Sequence, residues 1–114
     1  MIISHRQMEV FSQNHRRTGN LRIAEYIDAR FPGLLETRDA EERIAIVEKY
    51  RRLAAEWKLF DDDQIGYYMD LTVMYGASFP QIPALHAILS ADALAPTEKI
   101  ARIKFLLQQN GVVL

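Results

Sequence analysis

Apolar residues in this chain recur at spacings of three and four, the pattern of one face of an α-helix. The clearest such face is formed by Met8, Phe11, His15, Gly19, Ile23 and Ile27. No segment shows the sustained alternation of apolar and polar residues that is typical of a half-buried strand. The chain is therefore predicted to be all-α, an irregular bundle of five or six helices.

Capping residues, prolines and glycines indicate where these helices begin and end. Gly19 costs about 1 kcal/mol inside a helix relative to alanine, so the first segment is either one long kinked helix or two helices in line. Asp61 and Gln64 form a capping box before the third helix, and Pro83 and Pro96 suit the first positions of the fourth and fifth. The predicted helices cover about residues 5–31, 39–58, 62–75, 83–89 and 96–110.

The composition fits one globular domain that spans residues 1–114. Hydrophobic residues make up 49% of the chain and charged residues 25%, with a formal net charge of -1. This balance argues against disorder and against nucleic-acid binding, which usually needs a strongly basic face. There is no cysteine, so disulfides and zinc–thiolate sites are excluded. We find no signal-peptide pattern and no apolar run long enough to span a membrane, and we expect a cytoplasmic protein.

The sequence contains no recognisable catalytic or metal-binding motif. The acidic cluster Asp61–Asp63 fails as a calcium loop because the twelfth position is Thr72, so helix capping is the better interpretation. His5, His15 and His86 lack the spacing of a helical metal site, and His15 is predicted to be a hydrogen-bonded core residue. No nucleophile elbow or phosphate-binding loop is present. We therefore predict no enzyme activity, no cofactor and no metal.

The most informative feature is a gap in the charge pattern. Lys and Arg are absent from Leu59 to Glu98, and from Leu71 to Ala91 there is no Asp or Glu either. We call residues 71–91 the charge-free segment. Within it, His86 alone has a side chain of the type that titrates near neutral pH.

Aromatic residues and methionines cluster at the start of this gap, and two interpretations stay open. The cluster is either part of the core or a docking surface. The second interpretation is open because interfaces are rich in Tyr, Met and Phe. We expect some of these residues to be core and others to be exposed for docking. Tyr67 and Tyr68 point about 100° apart on one helix, so at least one of them is predicted to be exposed. The candidate protein-binding residues here are Tyr67, Tyr68, Met74, Tyr75 and Phe79.

A second candidate surface is the basic run His15-Arg16-Arg17, together with Arg22. Arg16 and Arg17 are candidate contacts for an acidic partner protein. The alternative is an ordinary solvated helix face.

Four short motifs give the chain a family resemblance. They are Gln7-Met8, Phe31-Pro32, Gly76 with Phe79, and Leu94 with Lys99-Ile100. This pattern resembles a family of small helical proteins encoded in bacterial type VI secretion clusters, beside effectors and adaptor chaperones. Members often have Tyr-Gly before the third helix, where this chain has Leu59-Phe60. The resemblance assigns no binding residues.

The resemblance implies a non-catalytic accessory role, such as a co-chaperone or adaptor that helps to load a toxic effector onto the secretion spike. The expected partner is another protein, either the effector or its adaptor chaperone. The alternative is an immunity protein that neutralises a cognate toxin, although such proteins commonly carry charge complementary to their target. The oligomeric state is left open by the sequence.

Overall fold

The computed structural model describes residues 5–35 and 38–110, with side chains from residue 15 onward. Within these ranges every regular element is helical, so the all-α prediction is confirmed. The side chains of Met8 and Phe11, on the predicted face of the first helix, lie outside the described residues. The elements are α1 (His5–Arg30), α2 (Ala40–Ala55), α3 (Asp62–Tyr75), a 3-10 turn (Phe79–Gln81), α4 (Pro83–Leu89) and α5 (Pro96–Gln109).

The chain forms two compact units, one up to Lys49 and one from Tyr50 onward. The first unit holds α1 and most of α2, and the second holds the end of α2 and all later elements. The single-domain interpretation of the sequence stays a prediction.

In the first unit, α1 is one helix that continues through Gly19, which decides between the two alternatives left by the sequence. Gly19 is buried, and so is the next residue, Asn20. The Asn20 Nδ2 atom donates a hydrogen bond of 2.8 Å to Glu48 Oε1 on α2. Contacts of this kind with a neighbouring helix offset the intrinsic cost of a glycine inside a helix.

The second helix ends at Ala55, three residues earlier than the sequence predicts. Lys58 has a positive φ of 63°. Its backbone N–H donates to Ala55 O, and the N–H of Leu59 donates to Ala54 O, which together form a Schellman motif. This helix end could not be predicted from the sequence, because glycine is the usual residue at the left-handed position and this chain has Lys58 there.

In the second unit, a buried lysine connects the ends of two helices to α5. Lys99 is 1% exposed, and its Nζ atom donates to Leu89 O at 2.7 Å and to Trp57 O at 3.0 Å. Leu89 is the last residue of α4, and Trp57 lies in the turn that ends α2. Both carbonyls lie at helix C-termini, where the partial charge is negative and a cation is favourable.

Candidate protein-docking surface

Apolar side chains are exposed along the charge-free segment, which runs from the end of α3 to just beyond α4. Val73 is 39% exposed, Met74 38% and Ile82 40%. Tyr75 is half-buried, and the small residues Ala77, Ala84 and Ala87 are also exposed. We call the exposed and half-exposed residues of the segment the charge-free surface. Apolar groups of a partner can be buried here without leaving a charge unpaired.

The exposure predicted for the tyrosine pair is wrong. Tyr67 is 5% exposed and Tyr68 is 4% exposed. The two side chains do point in different directions, but every residue of α3 from Gln64 to Leu71 is buried. The ammonium of Lys104 lies 5.1 Å from the centre of the Tyr67 ring. The first two turns of α3 are therefore covered on several faces and neither tyrosine is exposed, while their candidate role in binding stays a prediction.

Tyr68 belongs to an aromatic cluster inside the second unit. Its ring lies 4.8 Å from that of Phe79 and 6.4 Å from that of Tyr50. Phe79 is fully buried and so is not part of the exposed surface, and its candidate role in binding stays a prediction. Phe79 begins the 3-10 turn, in which Phe79 N donates to Gly76 O and Ile82 N donates to Phe79 O.

Burial raises the pKa of the Tyr68 hydroxyl, since the charged phenolate is poorly solvated there. A side-chain hydrogen bond with Trp57 opposes this change, and the negative charge of Glu56 adds to it. The protein therefore favours the neutral form of this hydroxyl.

Two of the five aromatic and methionine candidates, Met74 and Tyr75, reach the surface. The sequence interpretation missed Val73 and Ile82, which are equally exposed. Val73 lies four residues after the buried Met69 on α3, so helical spacing alone predicts an inward-facing side chain. Ile82 precedes Pro83 and occupies the N-cap of α4, and this position at a helix boundary was the available signal for its exposure.

His86 is an exposed residue within the charge-free surface. Its Nδ1 atom lies 3.2 Å from Pro80 O. Its ring meets the Trp57 ring edge-on, with 5.7 Å between centroids and an interplanar angle of 86°. The imidazole is therefore fixed in position from two sides.

The basic run on α1 finds acidic partners within the chain. Both Oε atoms of Glu48 accept hydrogen bonds from the Arg16 guanidinium, and the Nε bond measures 2.6 Å. The hydrogen bond with Glu48 raises the pKa of Arg16. Arg17 forms an ion pair of 2.7 Å with Glu41. These contacts to α2 reduce the charge that Arg16 and Arg17 can offer to another protein.

His15 is exposed, so its predicted place in the core is wrong. The buried face of α1 runs through Asn20, Ile23 and Ile27. Glu48 of α2 contacts Arg16 and Asn20 at this end of the helix, and His15 lies outside that contact.

The described residues contain no group of three or more His, Asp or Glu side chains placed to hold a metal ion. Asp61, Asp62 and Asp63 are exposed at the start of α3, where Asp61 and Gln64 form the predicted capping box. Arg51 donates to Asp62 Oδ1 at 2.8 Å. None of the helices in the described part of the chain has the length and apolar character to cross a membrane.

Comparisons with protein-family models, curated proteins and solved structures returned no match to this chain.

Proposed function

We propose that this chain is a non-catalytic accessory protein that binds another protein through its charge-free surface. The observation that supports the proposal most directly is the exposure of Val73, Met74 and Ile82 in a segment of 21 residues without an acidic or basic side chain. Val73 and Met74 are consecutive residues of α3, exposed apolar patches are typical of interaction sites, and methionine adapts well to a partner surface.

The family resemblance gives the partner a more specific identity. On that basis, the chain acts as a co-chaperone or adaptor that helps to load a type VI secretion effector onto the spike. The bound protein is then the effector or its adaptor chaperone. Gly76 and Phe79 belong to the motifs that carry the family resemblance. They form the turn that follows the exposed end of α3, where Phe79 N donates a hydrogen bond to Gly76 O.

Co-purification with the proteins of the native gene cluster tests this proposal. The double variant Val73→Asp/Met74→Asp introduces charge into the surface at two exposed positions, where it should leave the fold intact. We expect the variant to lose the co-purifying partner that the unchanged chain retains. Leu34→Asp is the matched control, because Leu34 is an exposed hydrophobic residue outside the charge-free segment. Circular dichroism checks that all forms are equally helical.

Retention of the same partner by the double variant would contradict the proposed surface. Retention of neither an effector nor an adaptor chaperone by the unchanged chain would contradict the proposed role in secretion. Protection of a cell from the toxin, with no effect on its secretion, would instead support toxin neutralisation.

A further inference from the structure

The helix α5 is attached to the second unit by few buried side chains. Of its 14 residues, Lys99, Ile103 and Leu107 are buried, and most of the others are exposed. In α3, which is equally long, the whole run from Gln64 to Leu71 is buried. Elements that bury few apolar side chains open at a lower free energy than the core of the same protein. Of these two helices, α5 should therefore open the more easily.

One of the three buried residues of α5 is a cation, and its contacts fix the start of the helix. Lys99 Nζ donates hydrogen bonds to Leu89 O at 2.7 Å and to Trp57 O at 3.0 Å. Hydrogen bonds from an ionised donor are stronger than those between neutral groups. The other two buried residues, Ile103 and Leu107, are aliphatic. Lys99 therefore supplies a large share of the free energy that keeps α5 in place.

Farther along, α5 covers one tyrosine of α3. The Lys104 ammonium lies 5.1 Å from the centre of the Tyr67 ring. Tyr67 and Tyr68 are buried to the same extent, with exposures of 5% and 4%. The residues that cover them differ, because the Tyr68 ring meets the rings of Phe79 and Tyr50. Movement of α5 therefore changes the environment of Tyr67 and leaves these contacts of Tyr68 in place.

We infer that α5 is a lid that opens as one element while α3 stays folded, that Lys99 holds it closed, and that its opening uncovers Tyr67. The inference concerns the second unit and does not depend on the proposed docking surface. Opening breaks the two hydrogen bonds of Lys99 and moves Lys104 away from the Tyr67 ring. The open state then presents a tyrosine that is buried in the closed state.

Because the chain has no cysteine, a single introduced thiol reports the opening of one element. Ile103→Cys places a thiol in α5 and Ile65→Cys places one in α3, at isoleucines that are 0% and 1% exposed. Ile65 lies three residues before Tyr68 and so on the same side of α3. We expect iodoacetamide to label Ile103→Cys about tenfold faster than Ile65→Cys, because α5 opens without the unfolding of α3.

Urea distinguishes the opening of one helix from the unfolding of the whole unit. The dependence of an opening reaction on urea grows with the surface that the reaction exposes. The labelling rate of Ile103→Cys should therefore rise less steeply with urea than that of Ile65→Cys. Circular dichroism checks that both variants are as helical as the unchanged chain.

Adding Lys99→Met to Ile103→Cys tests the role of the ammonium. We expect labelling to become about thirtyfold faster, because two hydrogen bonds from a charged donor are lost. Lys104→Met in the same background is the control. This lysine is an exposed cation on the same helix, so its loss should change the rate by less than about fivefold.

Tyr67→Cys and Tyr68→Cys test what the opening uncovers, and we expect faster labelling at position 67. Equal rates, or equal urea dependence, for Ile103→Cys and Ile65→Cys would overturn the lid. An unchanged rate with Lys99→Met would overturn the role of Lys99, and equal labelling at positions 67 and 68 would overturn the uncovering of Tyr67. If Lys99→Met does not fold, the comparison of Ile103→Cys with Ile65→Cys still decides whether α5 opens alone.

Discussion

Lys58 ends α2 in a backbone conformation that a β-carbon disfavours. Its φ of 63° lies in the left-handed region, where residues other than glycine lose about 1–2 kcal/mol. The Schellman hydrogen bonds around Ala54 and Ala55 require this conformation. The Lys58 side chain adds little in return, because its contact with Asp92 is exposed and 3.7 Å long.

We expect Lys58→Gly to raise the free energy of unfolding by about 0.5–1 kcal/mol, since glycine removes the strain but has more freedom in the unfolded chain. Urea denaturation followed by circular dichroism measures the change. Lys58→Ala is the control, because it removes the ammonium and keeps the β-carbon, so its stability should stay close to that of the unchanged chain. Equal stability of the glycine and alanine variants would show that the conformation is not strained.

Single residues also show where reasoning from the sequence stops. The sequence correctly places Tyr67 and Tyr68 on different faces of α3, since that follows from helix geometry alone. Whether each face is covered depends on residues far along the chain, such as Tyr50 and Lys104. The burial of Lys99 could not be predicted either, because lysine is almost always exposed. Its two acceptors also come from distant parts of the chain.

Lys99 joins three helices through one ammonium group. Its two acceptors lie at the ends of α2 and α4, and the lysine itself lies on the first turn of α5. Hydrogen bonds to a charged group contribute more than those between neutral groups. These contacts hold the C-terminal helix against both helix ends.

We expect Lys99→Met to lower the free energy of unfolding by about 2–4 kcal/mol, because two carbonyls lose a charged donor inside the protein. Chemical denaturation measures the effect, and Lys104→Met provides the control. The Lys104 ammonium is exposed and lies over the Tyr67 ring, so its loss should cost less than about 1 kcal/mol. A Lys99→Met protein as stable as the unchanged chain would mean that the cost of burying the charge cancels its hydrogen bonds.

The observed bounds of α3 and α4 match the predicted ranges residue for residue. The reason is that the signals that start these two helices are local. Asp61 with Gln64 and the proline at position 83 act within one helical turn. The 3-10 turn Phe79–Gln81 lies between the predicted helices, and the sequence Phe79-Pro80 gives no periodic signal for it. Its conformation is held by backbone hydrogen bonds between residues three apart, from Phe79 N to Gly76 O and from Ile82 N to Phe79 O.

For the whole molecule, the state of Tyr68 links stability to pH. Burial raises the pKa of its hydroxyl above the ordinary value of 10.0. The unfolded chain therefore releases this proton at a lower pH than the folded chain does. The contribution of the neutral hydroxyl is fully present below about pH 10, and it is lost as the pH rises through the pKa of the folded state.

We therefore expect the stability gap between the unchanged chain and Tyr68→Phe to depend on pH. Phenylalanine lacks the hydrogen bond with Trp57, so the unchanged chain should be the more stable form near pH 8. Above about pH 10 the gap should narrow, because the unfolded tyrosine releases its proton at a lower pH than the folded one and phenylalanine has no proton to release. Urea denaturation at closely spaced pH values measures this gap.

Tyr75→Phe is the matched control, since Tyr75 is half-buried at the exposed end of the same helix. Like Tyr68→Phe, it removes one tyrosine hydroxyl. All other titrating side chains are the same in the variant and in the unchanged chain, so their effects on stability cancel in the comparison. A gap for Tyr68→Phe that stays constant from about pH 8 to pH 11 would mean that the phenolate is tolerated inside the aromatic cluster. Water or a counter-charge would then have to reach the hydroxyl of Tyr68, although its ring lies only 4.8 Å from that of Phe79.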